Sequence, residues 1–394
     1  MTHIFINALA ASAGGGLTYI RNVVPLFAGR SGARATLLAD AALAREFQGM
    51  RNVDCIEWNN SGGAARRFWS EQKNLPRLLR ASGADVLLSA GNFALRQSPV
   101  PQILLSRNSL YTSAAFRKDL RARGELRLWL ENAIKSAAAK WSVRTADRVV
   151  APSQAFAAEL RRWTGSPVVA IHHGFDRDAF MRDPAPLPEA MQRQLDARHG
   201  EWKLLFVSHY NYYRNFETLL RALPLLQQKL LPRHVCLLLT TSFQPGANPG
   251  SYRTDRAAAL VEQLGIAGSV VQLGAVPYHS LHQLYRQADV YVTPAYTETF
   301  AHPLVEAMSC GLPVVASDLP VHREICGEAG VYFPPFSPDE LAQRVVELAN
   351  SKEQLARIRS AGDERVAMFS WRKHLDQILA LAEDLLQKRS ASLS

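Results

Sequence analysis

The sequence has few cysteines, and they are not arranged to build a covalent or metal-stabilised framework. Its 394 residues include only four, Cys55, Cys236, Cys310 and Cys326, and no two of them form a Cys-x-x-Cys pair. Such scattered cysteines exclude a disulfide scaffold and a zinc ribbon. They predict a protein of the reducing cytoplasm.

Long apolar runs are also missing. No stretch approaches the roughly 20 apolar residues that a membrane-spanning helix needs. The N-terminal residues 1–7 read as a first strand, without the basic segment and apolar stretch of a secretion signal. We find no internal repeats and no low-complexity segments. These absences predict a soluble or peripheral protein, in the cytoplasm or at the inner face of the plasma membrane.

Acidic residues are outnumbered by basic ones. There are 45 Lys and Arg against 35 Asp and Glu, which gives a formal net charge of +10 at pH 7. This excess favours anionic partners such as nucleotide sugars, acidic lipid surfaces or nucleic acid. The net charge alone does not distinguish among these three kinds of partner.

Short apolar runs alternate with longer amphipathic stretches along the whole chain, a pattern typical of parallel sheets with crossover helices. The length and a 47% hydrophobic composition are sufficient for two cores. The sequence therefore predicts an α/β protein of two doubly wound domains. The predicted strands are residues 3–7, 35–38, 86–89, 103–106, 148–151, 168–171, 203–207, 235–239, 270–273, 290–293, 313–317 and 331–333.

Domain boundaries follow from a change in composition after residue 175. Residues 177–201 are rich in proline and mixed charge and contain no strand-like run. We predict a first domain over residues 1–175, a linker over 176–200 and a second domain over 201–370. A helical period covers residues 371–386.

Two carboxylates lie eight positions apart between the predicted strands 290–293 and 313–317. Glu298 falls on a loop, and Glu306 falls in a helix that we expect to begin at Pro303, because proline suits the first helical position. That start places Glu306 in the first turn. A buried carboxylate is costly unless it accepts hydrogen bonds. Ribose hydroxyls would supply them, while the helix amides from Phe300 to Leu304 would face a diphosphate.

This segment carries a family resemblance. Glu298, seven residues, Glu306 and then Ala-Met-Ser-Cys-Gly-Leu-Pro-Val-Val-Ala-Ser-Asp resemble the signature of retaining glycosyltransferases of family 4. Residues 146–153, 171–176 and 273–277 look like three further landmarks of that family, in the expected order.

The resemblance implies the GT-B architecture, which has two facing Rossmann-like domains with a cleft between them. The second domain would hold most of the donor and the first the acceptor, and the helix over about 371–394 would pack back on the first domain. Enzymes of this type usually need no metal ion. They are often thought to use front-face attack assisted by the departing phosphate.

Arg214 falls where the family carries a lysine that contacts the diphosphate. An arginine can clamp two phosphate oxygens where a lysine acts as a point charge. We therefore predict catalytic roles for Arg214, toward the diphosphate, and Glu298, toward the donor sugar. The remaining predicted donor-binding residues, besides Glu306, are Gly15, Gly16, Ser208, Asn215, Val276, Phe300, Ala301, His302, Pro303 and Leu304.

The three glycines at 14–16 follow the first predicted strand and precede a helical run, so the backbone can approach a ligand there. A dinucleotide-binding loop is an alternative, but that fingerprint expects glycine where this chain has Tyr19. In the same half, Asn92 and Arg107 follow consecutive strand ends and are candidates for facing the acceptor. No histidine lies between His3 and His172, so no general base is named.

Neither of two metal-like patterns predicts a metal site. His172 and His173 are adjacent on an extended segment, so their side chains point to opposite sides. Asp176 and Asp178 form an Asp-x-Asp pattern, but they lie in the linker rather than after a donor-site strand. We predict that no metal or other cofactor is required.

Residues 65–80 and 117–148 combine aromatic and basic side chains. Basic amphipathic helices can lie on anionic bilayers. Ordinary helices with one core face and one solvated face show the same pattern. Both interpretations stay open at this stage.

Together, these features predict a retaining, metal-independent glycosyltransferase of the hexosyltransferase type. It would move a sugar from a nucleotide-diphosphate donor to a hydroxyl of a surface polysaccharide, a lipopolysaccharide or a lipid-linked saccharide. The alternatives are a non-catalytic GT-B sensor or scaffold, and a GT-B epimerase or phosphorylase. A nucleic-acid binder rests on charge alone, and we predict no nucleic-acid partner.

Overall fold

A computed structural model describes residues 1–11, 14–58, 63–248 and 252–393. The chain divides into two compact units. The first unit contains Met1–Ser113, Arg123–Gly174 and the residues from Ser370 onward. The second contains Ala114–Ala122 and Phe175–Phe369.

The strands are β1 (Thr2–Asn7), β2 (Ala33–Ala39), β3 (Val53–Glu57), β4 (Val86–Ser89), β5 (Gln102–Leu105), β6 (Arg148–Ala151), β7 (Val169–Ala170), β8 (Trp202–Phe206), β9 (Val235–Leu239), β10 (Val270–Gln272), β11 (Val290–Thr293), β12 (Val314–Ser317) and β13 (Gly330–Phe333). The α-helices are α1 (Gly14–Val23), α2 (Ala41–Glu46), α3 (Ala64–Ser82), α4 (Ala114–Ala122), α5 (Leu126–Thr145), α6 (Gln154–Thr164), α7 (Arg177–Met181), α8 (Glu189–Asp196), α9 (Phe216–Lys229), α10 (Asp255–Gln263), α11 (Leu281–Tyr285), α12 (His302–Ser309), α13 (Pro320–Cys326), α14 (Pro338–Asn350), α15 (Lys352–Val366) and α16 (Trp371–Leu393).

The first unit is built on a seven-stranded parallel sheet in the order β3-β2-β1-β4-β5-β6-β7. Parallel strands need crossover connections, and helices supply them here. The central strands are buried along their whole length, as expected for a sheet covered on both faces. The strand order reverses between β1 and β4, and the end of β1 at Asn7 pairs with the end of β4 at Ser89.

The second unit has a six-stranded parallel sheet in the order β10-β9-β8-β11-β12-β13. Its strand order reverses between β8 and β11. In open α/β sheets, ligands bind outside the carboxyl ends of the strands at such a reversal. The loops that follow β8 and β11 are therefore the first place to look for a site in this unit.

The predicted fold class of two doubly wound, Rossmann-like parallel-sheet units is confirmed. Every strand that the sequence predicts is present within a few residues of its expected bounds. The prediction missed β3, which lies at the edge of its sheet and is only partly buried. Because Asp54 and Glu57 are exposed there, the strand lacks the apolar run that marks its neighbours.

Helix α4 belongs to the second unit although residues 1–175 were predicted as the first domain. Its Phe116 and Leu120 are buried, and the Phe116 ring centroid lies 6.4 Å from that of Tyr213. Helices α7 and α8 occupy the predicted linker and also belong to the second unit. Helix α4 is assigned to the second unit because its apolar side chains pack against a segment about a hundred residues later in the chain. A local sequence pattern does not reveal such a long-range contact.

The C-terminal helix α16 belongs to the first unit. Leu375, Ile378 and Ala382 are fully buried in the same core as Ile4 and Ile6 of β1. Within the described ranges, no helix combines the length and apolar character needed to cross a membrane.

Candidate functional site

An ion pair lies at the strand-order reversal of the second unit. Arg214 ends a short 3-10 helix that follows β8, and its Nη1 pairs with Oε1 of Glu298, on the loop after β11. The exposed fractions of the two side chains are only 19% and 10%. Burial lowers the pKa of Arg214, but the nearby Glu298 carboxylate outweighs it, so the net shift is upward. The structure therefore brings both predicted catalytic residues together.

The loops that carry this pair are fixed to each other. The amide of Tyr296 donates to the carbonyl of Tyr213 at 3.0 Å. The side chain of Asn215 donates to the carbonyl of Pro294 at 3.0 Å and accepts from the Thr218 hydroxyl at 2.9 Å. Through these two bonds the side chain of Asn215 helps to fix the loops to each other.

Helix α12 follows the Glu298 loop after an unusual turn. Its N-cap, Ala301, has φ +63° and ψ +67°, in the left-handed region that residues other than glycine rarely adopt. Such strain is found mainly at functional sites. Of the five residues predicted to offer amides, Pro303 has no amide hydrogen and the amide of Leu304 donates to the Ala301 carbonyl at 3.0 Å. The predicted amide contribution to a diphosphate thus narrows to Phe300, Ala301 and His302.

The prediction that Glu306 lies in the first turn is wrong. The helix begins one residue before Pro303, so Glu306 is its fifth residue and the first turn contains no acid. Glu306 is only 5% exposed.

Two tyrosines that the sequence analysis missed contact Glu306. The hydroxyl of Tyr285, from α11, donates to Oε2 of Glu306 at 2.9 Å. The hydroxyl of Tyr278 also bonds this carboxylate, and its ring packs 5.4 Å from that of Phe180. Burial raises the pKa of Glu306 from 4.5 to about 7, against the opposing effect of the two hydroxyls. Val276, predicted to bind the donor, lies half-buried just before Tyr278.

The raised pKa of Glu306 predicts how stability depends on pH. Between about pH 4.5 and 7 the folded protein holds a proton on Glu306 that the unfolded chain releases. The free energy of unfolding therefore falls as pH rises through this window, by about 3 kcal/mol from this group. We expect Glu306→Gln to lack this loss. Urea unfolding at both ends of the window, with the exposed Glu383→Gln as control, measures it. Parallel stability profiles for wild type and Glu306→Gln would contradict the prediction.

Ser208 follows β8 and is half-buried. Its amide donates to the Thr240 hydroxyl at 2.9 Å, and its own hydroxyl donates to the carbonyl of His209 at 2.8 Å. These bonds shape the loop that leads to Arg214. Neither of these two bonds brings the Ser208 hydroxyl into contact with the Arg214–Glu298 pair.

The remaining predicted residues lie together in the first unit. Nη1 and Nη2 of Arg107 donate to the carbonyls of Gly15, at 3.0 Å, and Ala90, at 2.6 Å. The amide of Arg107 donates to Oδ1 of Asn92 at 2.6 Å. At Gly16 a Cβ would lie 3.2 Å from Cα of Ala11, so the glycine permits a close approach. Gly15, Gly16, Asn92 and Arg107 therefore form one connected group beyond the carboxyl ends of strands β1, β4 and β5.

Helix α4 is a further neighbour of the Arg214–Glu298 pair that sequence reasoning missed. Its Phe116 packs against Tyr213, which precedes Arg214, and its Asp119 accepts a hydrogen bond of 2.8 Å from Tyr296. The helix thus supports both loops of the site. Within the described ranges, no three His, Cys, Asp or Glu side chains are grouped so that they could hold a metal ion.

Comparison with known proteins supports a family assignment. Residues 13–179 match the model of "Glycosyltransferase Family 4", and residues 189–365 match "Glycosyl transferases group 1". An uncharacterized glycosyltransferase of Methanocaldococcus jannaschii is 32% identical over 46% of this chain and 44% of its own. The O-antigen chain mannosyltransferase B of Escherichia coli is 26% identical over 54% of this chain and 53% of its own. The chain spans about half the length of the curated relatives it matches.

A solved structure shows the same fold. Anabaena HepE, crystallised with UDP and glucose, superposes with a TM-score of 0.70 over 98% of this chain and all of that one, at 19% identity. At this identity the likeness concerns the fold alone. Because the two matched models follow each other along nearly the whole chain and the two sheets have the topology that such proteins share, this chain belongs to the family 4 glycosyltransferases of the GT-B fold.

Proposed function

We propose that this protein is a retaining glycosyltransferase of the hexosyltransferase type, which moves a sugar from a nucleotide-diphosphate donor to a saccharide hydroxyl. The observation that carries the proposal is the Arg214–Glu298 ion pair at the strand-order reversal of the second unit, with the buried Glu306 on the helix that follows the Glu298 loop. A cation and a carboxylate on the loops that follow two strands of one sheet, with a second carboxylate on the next helix, suit a ligand that carries both a diphosphate and hydroxyls. Relatives named as glycosyltransferases, one of them an O-antigen mannosyltransferase, support it.

In this proposal Glu306 accepts hydrogen bonds from the ribose hydroxyls of the donor. The backbone amides of Phe300, Ala301 and His302, at the start of α12 and just before it, face the diphosphate. Arg214 leaves Glu298 for the diphosphate oxygens, and the freed Glu298 carboxylate accepts hydroxyls of the donor sugar. Breaking the resting ion pair costs free energy, which the contacts of both side chains with the donor must offset.

The transfer step breaks the bond between the anomeric carbon and the β-phosphate oxygen. Negative charge develops on that oxygen, where Arg214 stabilises it. The acceptor hydroxyl forms the new bond on the same face and gives its proton to the departing diphosphate, so configuration is retained. No protein group has to act as the general base.

Binding of nucleoside diphosphates tests the proposal. Titration calorimetry with UDP, GDP, dTDP and ADP should show selective binding of one of them. Glu306→Ala should weaken it about 10- to 100-fold, because the ribose loses two hydrogen bonds to this side chain. Glu383→Gln should not change it. Absence of binding to all four by the folded wild type would favour the non-catalytic scaffold. Donor consumption without an acceptor would favour an epimerase.

We further propose that no metal ion or cofactor takes part. Arg214 supplies the positive charge that a divalent ion supplies in metal-dependent transferases. Transfer at full rate with a chelator present would support this, and recovery only on adding a divalent ion would refute it.

The acceptor in this proposal is a surface polysaccharide or lipid-linked saccharide, built at an anionic membrane surface. Helix α5 supports this with an exposed apolar stripe of Leu126, Leu130, Ile134 and Trp141. At 100° per residue these four lie within about 80° of arc. The helix carries four basic residues and one acidic one, so a second copy of the same face would be repelled, whereas an anionic bilayer would be attracted.

Vesicle binding tests this surface. We expect the protein to sediment with vesicles that contain phosphatidylglycerol and much less with pure phosphatidylcholine. The triple variant Leu126→Ser/Leu130→Ser/Ile134→Ser should bind at least tenfold more weakly, because it removes the apolar stripe and leaves the charge intact. Leu231→Ser, at a site 71% exposed in the second unit, is the control. Unchanged binding by the triple variant would contradict the assignment.

A further inference from the structure

A buried carboxylate lies at the strand-order reversal of the first unit. Nδ2 of Asn7, the last residue of β1, donates to Oε2 of Glu71 at 2.9 Å. Nε of Arg67 lies 3.5 Å from Oε1 of the same carboxylate. The Glu71 side chain is 14% exposed, and Asn7 is 6% exposed. The site thus occupies the position in this sheet that the Arg214–Glu298 pair occupies in the other.

Glu71 is placed there by the period of its helix. It is the only acid of α3, which otherwise carries basic side chains, and it lies one turn before Leu75 and two before Leu79, both buried. A carboxylate on the apolar face of a helix is costly unless it serves a purpose. Burial raises the pKa of Glu71, and the Asn7 and Arg67 contacts counteract part of that shift.

Three aromatic rings form a chain of contacts that begins on α3, one turn before Glu71. Phe68 follows Arg67 on α3, and its ring centroid lies 5.9 Å from that of Phe93. Phe93 lies 5.9 Å from Tyr111 by the same measure. All three rings are half-buried, so part of each stays accessible.

The loop that carries Phe93 is closely fixed. At Gly91 a Cβ would lie 2.7 Å from Cβ of Ala10, so the loops after β4 and β1 touch. Asn92 adopts φ +67° and accepts from the Arg107 amide at 2.6 Å. Nε2 of Gln72 donates to the carbonyl of Ala94 at 3.1 Å, which attaches α3 to the end of the loop. The ring is therefore presented by a rigid support.

We infer that Asn7, Arg67, Glu71, Phe93 and Tyr111 form a subsite for a neutral saccharide, which would be the acceptor. This inference rests on the proposed function. A carboxylate with two oxygens offers about four acceptor positions, and Asn7 and Arg67 use two of them. The others can accept adjacent sugar hydroxyls, while the rings cover the apolar face of the sugar.

The charge balance distinguishes a sugar from an anion. Glu71 already neutralises Arg67, so the group carries no excess positive charge for a phosphate or a lipid headgroup. A hydroxyl-rich ligand can instead donate hydrogen bonds to the Glu71 carboxylate and accept them from the side chains of Asn7 and Arg67. This also gives Asn92 a different role from the predicted direct contact, because its side chain shapes the loop that presents Phe93.

Saturation-transfer NMR on the full chain tests the subsite, with methyl α-glucoside, methyl α-mannoside and methyl α-galactoside as probes. We expect at least one glycoside to receive saturation from the wild type. Phe93→Ala and Glu71→Gln should each weaken that binding about tenfold. Lys73→Ala, on the exposed side of α3, and Glu383→Gln should leave it unchanged. Thermal unfolding establishes that each variant is folded.

Two results would overturn the inference. One is that no glycoside binds the wild type, and the other is that binding survives in both Phe93→Ala and Glu71→Gln. Calorimetry with nucleoside diphosphates on the same variants separates this inference from the proposed function. Loss of glycoside binding with diphosphate binding intact supports the subsite. If the protein binds a glycoside but no nucleoside diphosphate, the subsite is supported as a sugar-binding site and the proposed transferase function is refuted.

Discussion

Replacing Arg214 with alanine should lower the turnover number for sugar transfer by about 10²- to 10³-fold, the usual loss when one group that stabilises transition-state charge is removed. Donor affinity should fall less, because the ribose contacts proposed for Glu306 would remain. The substitution also leaves Glu298 nearly buried without its cation. We expect a loss of about 3 kcal/mol in the free energy of unfolding. Steady-state kinetics and urea unfolding measure the two effects.

Removing both charges separates the two roles of Arg214. In Arg214→Ala/Glu298→Ala no carboxylate is left uncompensated, so stability should recover much of the loss while turnover stays low. Arg214→Lys keeps the charge but loses the two-pronged geometry, and should fall between wild type and alanine in turnover. Wild-type turnover in Arg214→Ala would refute the catalytic assignment.

Gly174→Ala should destabilise the first unit by more than about 4 kcal/mol, a loss large enough to prevent accumulation of folded protein. A Cβ at Gly174 would overlap the backbone nitrogen of Trp371 and lie 2.5 Å from the carbonyl carbon of Ser370. Backbone cannot move aside as a flexible side chain can. The clash falls at the start of α16, where the Trp371 ring packs 5.8 Å from Tyr19.

The matched control is Gly29→Ala, in the same unit, where a Cβ meets no atom within 4 Å. It should change the free energy of unfolding by less than about 1 kcal/mol. Thermal and urea unfolding measure both variants. Gly174→Ala with the stability of Gly29→Ala would mean that α16 packs differently from the arrangement described.

Short-range patterns were sufficient to predict the fold. A parallel strand covered on both faces needs a continuous apolar run, and β4, β5, β11 and β12 have one. The edge strand β3 needs burial on one side only, so its alternating residues escaped notice. The sequence also predicted Glu298, Glu306 and Arg214 as one group, because strand ends of the same parallel sheet meet at one edge.

The environment of Glu306 could not be predicted in the same way. Because α12 begins at His302 rather than at Pro303, Glu306 is the fifth helical residue instead of a residue of the first turn. Its partner Tyr285 comes from another helix, and no periodic pattern relates the two. Glu71, in contrast, did leave a signal, because an acid one turn before Leu75 continues an apolar face. That signal was hidden by the basic residues around it.

The placement of α4 has a consequence for how this family can be recombined. Residues 114–122 are encoded within the first half of the chain, yet they pack against Tyr213 and Tyr296 on either side of the Arg214–Glu298 pair. A chimera that exchanges residues 1–174 with a homologue would import a foreign support for these loops. Under the proposed function, selectivity for the activated sugar would then depend in part on the exchanged half, although the exchange was meant to alter only the acceptor. Grafts that retain residues 114–122 from the recipient should keep the two specificities separate.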